Sequence, residues 1–510
     1  MTSRRTAIAL VVVALWCGSD VVLTVAAETS ASKRPNILLI YTDDQSYKTV
    51  GCYPEALPGV KTPHMDALAA NGVRFQGGYM GAWCMPSRAT MLTGRQPHGV
   101  ESMRMEGKYP ASAYDPEKTP FWPKVFREKG YVTAHIGKWH TGVDAGTGRD
   151  WDWQIVWNRP RHPENAGNYY EKQILSFNGE ERVVEGYSTD NYTKWACEFI
   201  KGEHRDAAKP WYLWLCYGGV HGPTTPAKRH KGMHKDAEVP VPADIFPPRE
   251  GKPAYLNKTQ SWAKGPDGQP VAGKSGETFG DESGKKRKTH ADFVRQVHDC
   301  AQSLDEGIGE VMAALKASGQ LENTLVVFTA DQGFAMGEHG FRTKLAPYDA
   351  NYRSPLIVSM PGTLPQGKVT PHSVTGADLV ATFHAFASIE PAWKLHGRDI
   401  TPLLKDPTMA WEHPAFYEFT GEKYGSDVTR VVKDSPGDAA YHDVPWYVAV
   451  RDLRWKLVRY LEPGVGEELY DLQNDPEELV NLAARSEHAD ALKEMRDKLD
   501  AELKRTEAEW

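Results

Sequence analysis

Five short apolar segments, separated by stretches with helical periodicity, limit the folds that this chain can adopt. They span residues 36–41, 131–136, 211–217, 325–329 and 355–360. Apolar runs of this length without polar alternation are typical of parallel strands that are buried on both faces. The pattern therefore predicts a large sheet of mostly parallel strands at the centre of the molecule.

Helical segments with recognisable start and stop signals lie between these runs. A threonine-proline pair begins the segments 62–72 and 119–130, and a glycine ends each of them. A third segment, 293–315, has apolar side chains at steps of three and four residues, as in a helix with one buried face. Because strands and helices alternate, we predict an α/β fold: a large mixed, mostly parallel sheet flanked by helices on both faces.

The character of the sequence changes after about residue 411. Short strand-like segments follow one another, and an amphipathic helical segment begins near residue 489. This change predicts a smaller C-terminal α+β subdomain with a short antiparallel sheet and a helix. We expect a catalytic domain over 28–405 and this subdomain over 406–510.

The first 27 residues have the features of a signal peptide. Arg4 and Arg5 precede an apolar run over 7–16, which is too short to span a bilayer. We predict that residues 1–27 direct export to the periplasm or the medium, without stable membrane insertion. A net charge of −7 gives no indication of a nucleic-acid partner.

Polar side chains follow four of the five predicted strands, at the points where those strands end. They are Asp43 and Asp44, then Lys138 and His140, then His221, and finally Asp331 and Gln332. In open α/β sheets, ligands bind just outside the carboxyl ends of the parallel strands. We therefore expect these groups to meet in one site.

The stretch from residue 84 to residue 95 carries the most specific motif of the chain. Its sequence, CMPSRATMLTGR, predicts a loop cysteine at residue 84, a short helix with Pro86 at its first position, and a stop at Gly94. Backbone N–H groups at a helix N-terminus attract anions, and Arg88 lies one turn further along the same face. Cys84 is therefore expected to point into an anion-binding pocket.

This stretch resembles the signature of the type I sulfatases in the alkaline phosphatase superfamily, Cys-x-Pro-Ser-Arg followed by x-x-x-Leu-Thr-Gly-Arg. The resemblance extends over residues 35–477. It implies that a separate formylglycine-generating maturation enzyme converts Cys84 to 3-oxoalanine (formylglycine), whose hydrated aldehyde is the nucleophile. The chain is thus predicted to be a sulfuric ester hydrolase.

The acids and the amide at the strand ends offer only oxygen ligands, which favour Ca²⁺ or Mg²⁺ over zinc. The sulfatase resemblance assigns the same positions to a cation that also contacts residue 84. The predicted metal ligands are Asp43, Asp44, Cys84, Asp331 and Gln332. The expected ion is Ca²⁺, with Mg²⁺ as the alternative, since Gln332 stands where asparagine is common and reaches one methylene further.

Cleavage of a sulfate ester needs a cationic clamp, a strong nucleophile and an acid for the leaving group. The resemblance implies that Arg88 and the cation activate the nucleophile, while Lys138 and Lys344 hold the sulfate oxygens. It further implies that His221 protonates the departing alcohol. His140 then accepts a proton from the second hydroxyl at residue 84, and sulfate leaves by elimination.

The substrate and two rival functions stay open at this level. Export favours a sulfated carbohydrate over a small aryl or choline sulfate, and Trp151, Trp153 and Trp157 either stack on a sugar ring or pack in the core. His98 and Arg353 are further candidate pocket residues. The rivals are a phosphoester or phosphonate hydrolase of the same superfamily and a non-catalytic binder of sulfated glycans.

Overall fold

The central strand of the molecule is the first apolar segment, and the other strands extend the sheet on both sides of it. The computed structural model describes residues 34–104, 113–115, 117–265, 267–273 and 288–510. The predicted signal peptide, residues 1–27, lies outside the described residues. The strands are β1 (Asn36–Thr42), β2 (Val73–Tyr79), β3 (Met103–Arg104), β4 (Ala113–Tyr114), β5 (Val132–Lys138), β6 (Trp153–Trp157), β7 (Gln173–Phe177), β8 (Glu180–Val184), β9 (Trp211–Cys216), β10 (Trp262–Lys264), β11 (Pro270–Ala272), β12 (Thr324–Ala330), β13 (Leu356–Ser359), β14 (Lys368–Thr375), β15 (Ala415–Phe419), β16 (Ala440–Tyr441), β17 (Val444–Pro445), β18 (Tyr447–Arg451), β19 (Trp455–Tyr460) and β20 (Glu468–Asp471).

Ten of these strands form one mixed sheet in the order β14-β2-β13-β12-β1-β9-β5-β6-β7-β8. Its five central strands, β12, β1, β9, β5 and β6, run parallel to one another, as predicted. The segment predicted over 355–360 does form a strand, β13, but it runs antiparallel to both β12 and β2, so its expected parallel direction is wrong. The expectation failed because an apolar run buried on both faces has the same sequence pattern in a parallel and in an antiparallel strand.

Side chains of the central strands alternate between two hydrophobic cores, one on each face of the sheet. From β1, Leu38 and Ile40 point into one core, which also contains apolar residues of the helix over 290–317. Ile37 and Leu39 point into the other core, together with residues of three shorter helices. The prediction of a sheet covered on both faces is therefore confirmed.

The helices that cover these faces begin and end close to their predicted signals. They are α1 (Pro63–Ala70), α2 (Cys84–Thr93), α3 (Trp122–Glu128), α4 (Ser188–Lys201), α5 (Tyr255–Lys258), α6 (His290–Ala317), α7 (Asp349–Tyr352), α8 (Gly376–Ala387), α9 (Thr401–Lys405), α10 (Ser426–Asp434) and α11 (Ala489–Arg505). Helices α1, α4 and α6 contribute to the first core, and α2, α3 and α8 contribute to the second. Among the helices of the described ranges, none is long and apolar enough to cross a lipid bilayer.

A second sheet of four antiparallel strands, in the order β15-β18-β19-β20, follows in the C-terminal part of the chain. One of its faces packs on Leu492, Met495 and Leu499 of α11. The other face packs on aromatic residues of the large sheet and its loops, including Tyr79 and Tyr348. The predicted α+β character of this region is confirmed, while the domain boundary at 405/406 stays a prediction.

Candidate active site

The ends of three central strands are tied together by hydrogen bonds, and this brings their polar residues to one place. Asp43 follows β1, and its backbone N–H donates to the carbonyl of Gly219 beyond β9 at 2.8 Å. The next N–H, of Asp44, donates to Oδ1 of Asp331 beyond β12 at 3.1 Å. Asp44 adopts a left-handed conformation (φ 58°), which turns the chain sharply at the strand end. The two acids therefore point in different directions around the same space.

This space is lined by carboxylates and by the residue at position 84. One oxygen each from Asp43, Asp44 and Asp331 and the sulfur of Cys84 all lie within 4.8 Å of one another, and all four residues are buried. Among the described residues, Oδ2 of Asp44 and Oε1 of Gln332 are buried and find no hydrogen-bond partner. Buried polar atoms without a partner are costly, so oxygens left in this state fit a bound cation.

The donor set also indicates which cation fits. Carboxylate and amide oxygens are hard ligands, which suit Ca²⁺ or Mg²⁺ and are a poor match for zinc or copper. Gln332 joins this group through its amide nitrogen, which donates to Oδ1 of Asp44 and lies 3.7 Å from Sγ of Cys84, so the structure brings together all five predicted metal ligands. Their role as ligands stays a prediction.

Helix α2 presents Cys84 to this cluster. It begins at Cys84 itself, two residues before the predicted proline start, and ends at Gly94 in the left-handed conformation that the glycine signal predicted. Oγ of Ser87 donates to the carbonyl of Asp331 at 2.5 Å, and the Tyr41 hydroxyl donates to Ser87 at 2.6 Å. The helix N-terminus is thereby fixed against the ends of β1 and β12.

Arg88 is fully buried one turn into this helix and connects three parts of the site. Its guanidinium donates to Oδ2 of Asp331 at 3.0 Å and to the carbonyl of Lys138 at 2.8 Å. It also lies 3.5 Å from Oδ2 of Asp43. Burial alone would lower the pKa of Arg88, but the carboxylate of Asp331 outweighs it and raises the pKa. Arg88 is therefore a permanent positive charge at the base of the pocket.

Two lysines complete the cationic side of the pocket. Lys138 forms a buried ion pair with Asp43. Nζ of Lys344 lies 2.6 Å from Oδ1 of Asp44 and 3.1 Å from Sγ of Cys84. Burial lowers the pKa of each lysine, yet the facing carboxylates raise both above the usual value. With Arg88, these lysines balance the three carboxylates, so a divalent cation would leave the pocket with net positive charge for an anionic substrate.

The two predicted histidines lie at the border of this cluster. Nδ1 of His221 bonds to the carbonyl of Gly222 at 2.7 Å, and its Nε2 lies 3.8 Å from Oδ2 of Asp44. Because a carbonyl can only accept, the proton of the neutral ring is on Nδ1. Burial, which outweighs Asp44, lowers the pKa of His221 to about 4. Burial and the charge of Lys138 lower the pKa of His140 well below its ordinary value.

The unmodified thiol of Cys84 is a poor nucleophile in this setting. Burial, together with the charge of Asp43, raises the pKa of Cys84 to about 12. An unmodified side chain at this position therefore stays protonated at neutral pH. The predicted oxidation of Cys84 would replace it with a group of different chemistry.

The structure brings all the predicted catalytic residues to one pocket, and it adds three that the sequence did not single out. Tyr41 and Ser87 hold helix α2 in place, and the ring of Tyr169 stacks on His221 with centroids 4.2 Å apart. Tyr41 could have been noticed because it precedes Asp43 by two residues in a predicted strand. Tyr169 gave no local signal, since a loop brings it to His221 from 52 residues away.

The residues considered for substrate contacts have their partners elsewhere in the fold. Trp151 and Trp157 are each only 1% exposed, and Trp153, at 8%, stacks on Phe199 in the first core. Core packing therefore accounts for all three tryptophans, and none offers a free face to a sugar ring. The other two candidate pocket residues have contacts elsewhere: His98 bonds to Glu418 and the Thr506 carbonyl, and Arg353 bonds to Glu55.

Comparisons with known proteins agree on one family. A family model described as "Sulfatase" matches residues 35–389, and one described as "N-sulphoglucosamine sulphohydrolase, C-terminal" matches residues 337–505. The N-acetylglucosamine-6-O-sulfatase of Bacteroides thetaiotaomicron is 28% identical, over 92% of this chain and 86% of that protein. Arylsulfatase A of Homo sapiens is 27% identical, over 91% of this chain and 86% of that protein.

A solved structure gives the same indication. A protein in complex with its substrate, D-glucosamine-2-N,6-O-disulfate, matches with a TM-score of 0.75 and 26% sequence identity. The match covers 93% of this chain and 98% of that one. The similarity therefore includes both the large sheet and the C-terminal region.

Proposed function

This chain belongs to the sulfatase family and is a sulfuric ester hydrolase, and from that premise we propose that it removes sulfate from a sulfated carbohydrate. The net reaction consumes one water, breaks the bond between sulfur and the ester oxygen, and releases an alcohol and sulfate. The observation that carries the proposal is the position of Cys84, whose sulfur lies 3.1 Å from Lys344 and within 4.8 Å of the three carboxylates.

We propose that Cys84 works as formylglycine, as is general in the family. A separate maturation enzyme, using an oxidant of its own, would replace the CH₂–SH group by an aldehyde. Asp43, Asp44, Asp331 and Gln332 would hold Ca²⁺, with Mg²⁺ as the alternative. When bound, the cation supplies a positive charge that lowers the pKa of a hydroxyl at residue 84 and offsets the charge of sulfate.

The other polar residues act on the substrate and on protons. Lys138 and Lys344 direct their ammonium groups into the pocket and bind sulfate oxygens. His221, which carries its proton on Nδ1 when neutral, must hold a second proton at Nε2 before it can protonate the alcohol oxygen. His140, kept neutral by burial and by Lys138, is suited to accept a proton from residue 84.

The substrate class rests on two relatives. One is named an N-acetylglucosamine-6-O-sulfatase, and the other was solved with a sulfated glucosamine. Residues 1–27 would direct export, which would bring the enzyme to glycans outside the cytoplasm. We propose a periplasmic or secreted enzyme on that basis.

Sulfate release tests this proposal. The full-length chain is produced together with a formylglycine-generating enzyme and assayed on N-acetylglucosamine 6-sulfate, 4-nitrophenyl sulfate and the two matching phosphate esters. We expect sulfate release from the sugar, with the sulfate esters cleaved much faster than the phosphate esters. Faster cleavage of the phosphate esters would favour the phosphoester hydrolase, and sugar binding without sulfate release would favour the non-catalytic binder.

A further inference from the structure

One wall of the pocket comes from the C-terminal region and is fixed directly beside Cys84. Trp83, the residue before Cys84, donates from its indole N–H to the carbonyl of Gly421 at 3.1 Å. The indole also stacks on the ring of Tyr441, with centroids 5.5 Å apart and planes inclined by 29°. A segment more than 330 residues away in sequence is thereby held against the N-terminus of helix α2.

The hairpin that carries Tyr441 is built to hold this position. Tyr441 in β16 pairs with Val444 in β17 across a turn in which His442 and Asp443 both have positive φ, as in the tight turns preferred by hairpins. Gly421 also has positive φ (60°), and a Cβ there would lie 2.7 Å from Nε1 of Trp446. Only glycine fits this backbone position against Trp446.

Glu422 is the chemically distinctive residue of this wall. It is half-buried, and one of its carboxylate oxygens accepts a hydrogen bond from the Tyr441 hydroxyl at 3.0 Å. No other hydrogen bond or ion pair to Glu422 is formed within the described ranges of the chain. The second carboxylate oxygen is therefore available, which contrasts with the paired acids in the centre of the pocket.

The wall also lies close to the sulfate-binding side of the pocket. Burial raises the pKa of Tyr441, the charge of Glu422 and its hydrogen bond raise it further, and the charge of Lys344 lowers it. Lys344 is the residue whose Nζ lies 3.1 Å from Sγ of Cys84. Because Tyr441 stacks on Trp83, the neighbour of Cys84, and bonds to Glu422, we take a group bound at Glu422 to belong to the same molecule as a sulfate bound at Lys344.

We propose that Glu422 is a specificity-determining residue that accepts hydrogen bonds from hydroxyl groups of the sugar ring carrying the sulfate. A carboxylate repels sulfate itself but accepts strongly from neutral hydroxyls, so it selects for the sugar part of the ester. Tyr441 is a positioning residue, because it holds the carboxylate through its hydroxyl and is itself braced by Trp83. This inference rests on the proposed function and specifies which residues recognise the sugar.

The test compares a sugar substrate with one that has no hydroxyl groups to offer. Kinetics are measured for wild type, Glu422→Ala, Tyr441→Phe and the control Glu412→Ala, an exposed acid before β15. With N-acetylglucosamine 6-sulfate we expect the KM of Glu422→Ala to rise about 10- to 100-fold, the loss expected for hydrogen bonds to a charged group. The rise for Tyr441→Phe should be about 3- to 10-fold.

Two comparisons decide the outcome: the sugar against 4-nitrophenyl sulfate, and KM against kcat. We expect kcat/KM for 4-nitrophenyl sulfate, and kcat for the sugar, to stay within about threefold of wild type in every variant. An equal loss on both substrates, or an unchanged KM for the sugar, would overturn the inference and leave the proposed function standing. A wild type that releases no sulfate from either ester would overturn both.

A binding measurement removes the dependence on turnover. Calorimetric titration of N-acetylglucosamine 6-sulfate into Cys84→Ala should show a Kd that the added Glu422→Ala substitution raises by about 10- to 100-fold. The added Glu412→Ala substitution should leave that Kd unchanged. Equal affinities of the Cys84→Ala protein with and without Glu422 would contradict the proposed contact.

Discussion

Two clusters of buried charge in this molecule contain similar residues. They differ in how fully the protein's own donors satisfy their buried oxygens. At the candidate active site, three carboxylates face Arg88 and two lysines. Oδ2 of Asp44, 3.8 Å from Nε2 of His221, and Oε1 of Gln332 nevertheless make no hydrogen bond within the described residues. In the second cluster, between α7 and the four-stranded sheet, Lys456 lies 2.8 Å from Oδ1 of Asp349 and 2.5 Å from Oε1 of Glu478. Oε1 of Glu478 also makes no hydrogen bond within the described residues, but this close ion pair offsets its charge.

The second cluster is further tied into the fold. Tyr79 donates its hydroxyl to Asp349 at 2.7 Å, and the backbone N–H of Asp349 donates to Glu478 at 2.6 Å. Its acids thus join a helix, two strands and a C-terminal turn. The comparison teaches that buried charge satisfied by the protein's own donors fixes the fold, whereas buried oxygens left without donors mark a place for a ligand.

The largest effect is expected from changing residue 84. The Cys84→Ala protein should lose sulfatase activity by ~10⁴-fold or more, because the nucleophile is removed. Its free energy of unfolding should change by no more than about 1 kcal/mol. Activity assays and urea unfolding check both numbers, with Cys52→Ala as the control that keeps activity. Substantial activity in Cys84→Ala would place the nucleophile elsewhere.

A substitution in the second cluster should lower stability and leave catalysis unchanged. Lys456→Met leaves Asp349 and Glu478 buried without their cation, so we expect a loss of ~3–5 kcal/mol of unfolding free energy. The kcat of the protein that remains folded should be unchanged. Lys493→Met, which removes an exposed lysine paired with Asp497, should leave the free energy of unfolding almost unchanged. A comparable loss in both variants would mean that burial does not decide the effect.

Removing the metal should affect the candidate active site and leave the cluster around Lys456 unchanged. Chelation of divalent ions should abolish sulfate release and lower the free energy of unfolding by ~2.7 kcal/mol relative to protein at 100 times the Kd for Ca²⁺. Added Ca²⁺ should restore both, by the same increment in wild type and in Lys456→Met. A melting temperature that neither chelator nor Ca²⁺ shifts would contradict the assignment of the acids as metal ligands.

The smallest effect concerns a third buried pair, His98 and Glu418. Nδ1 of His98 lies 2.7 Å from Glu418 and Nε2 lies 3.0 Å from the Thr506 carbonyl, so both ring nitrogens face acceptors. Burial lowers the pKa of His98, but Glu418 outweighs burial and the nearby Arg95, and the pKa is raised. His396 stacks on the same ring with centroids 5.0 Å apart.

A raised pKa means that the charged form of His98 stabilises the folded state. This contribution is fully present below the unfolded pKa of about 6.5 and is lost as the pH rises through the higher folded value. Between the two values, we expect unfolding free energy to fall with a slope of at most about 1.4 kcal/mol per pH unit. Urea unfolding of wild type and His98→Gln across this range measures it. Identical slopes in the two proteins would refute the account.

Much of the site followed from the sequence because its groups come directly after strands. Asp43, Lys138, His221 and Asp331 each follow an apolar run, and parallel strands bring their carboxyl ends to one edge by geometry alone. Helix α2 was also predictable, since Gly94 and the motif at Cys84 are local signals. A site residue that lies next to a local signal, such as a strand end or a helix start, can therefore be predicted from a single sequence.

The rest depends on contacts between distant segments. Lys456 and Asp349 are 107 residues apart, and Trp83 meets Gly421 across 338 residues, so neither pairing leaves a periodic signal. The same limitation explains why the sequence left two alternatives open for Trp151 and its neighbours. An aromatic residue in a strand has the same sequence pattern whether its face meets a sugar or another ring in the core.

The central claim is that an oxidised residue 84, with its surrounding acids and cations, performs sulfate ester cleavage. Mass spectrometry of the peptide containing residue 84 measures the fraction of aldehyde in preparations made with different amounts of maturation enzyme. The account predicts that the rate of sulfate release rises in proportion to this fraction and extrapolates to zero at zero aldehyde. Full activity in a preparation whose residue 84 is entirely thiol would contradict it.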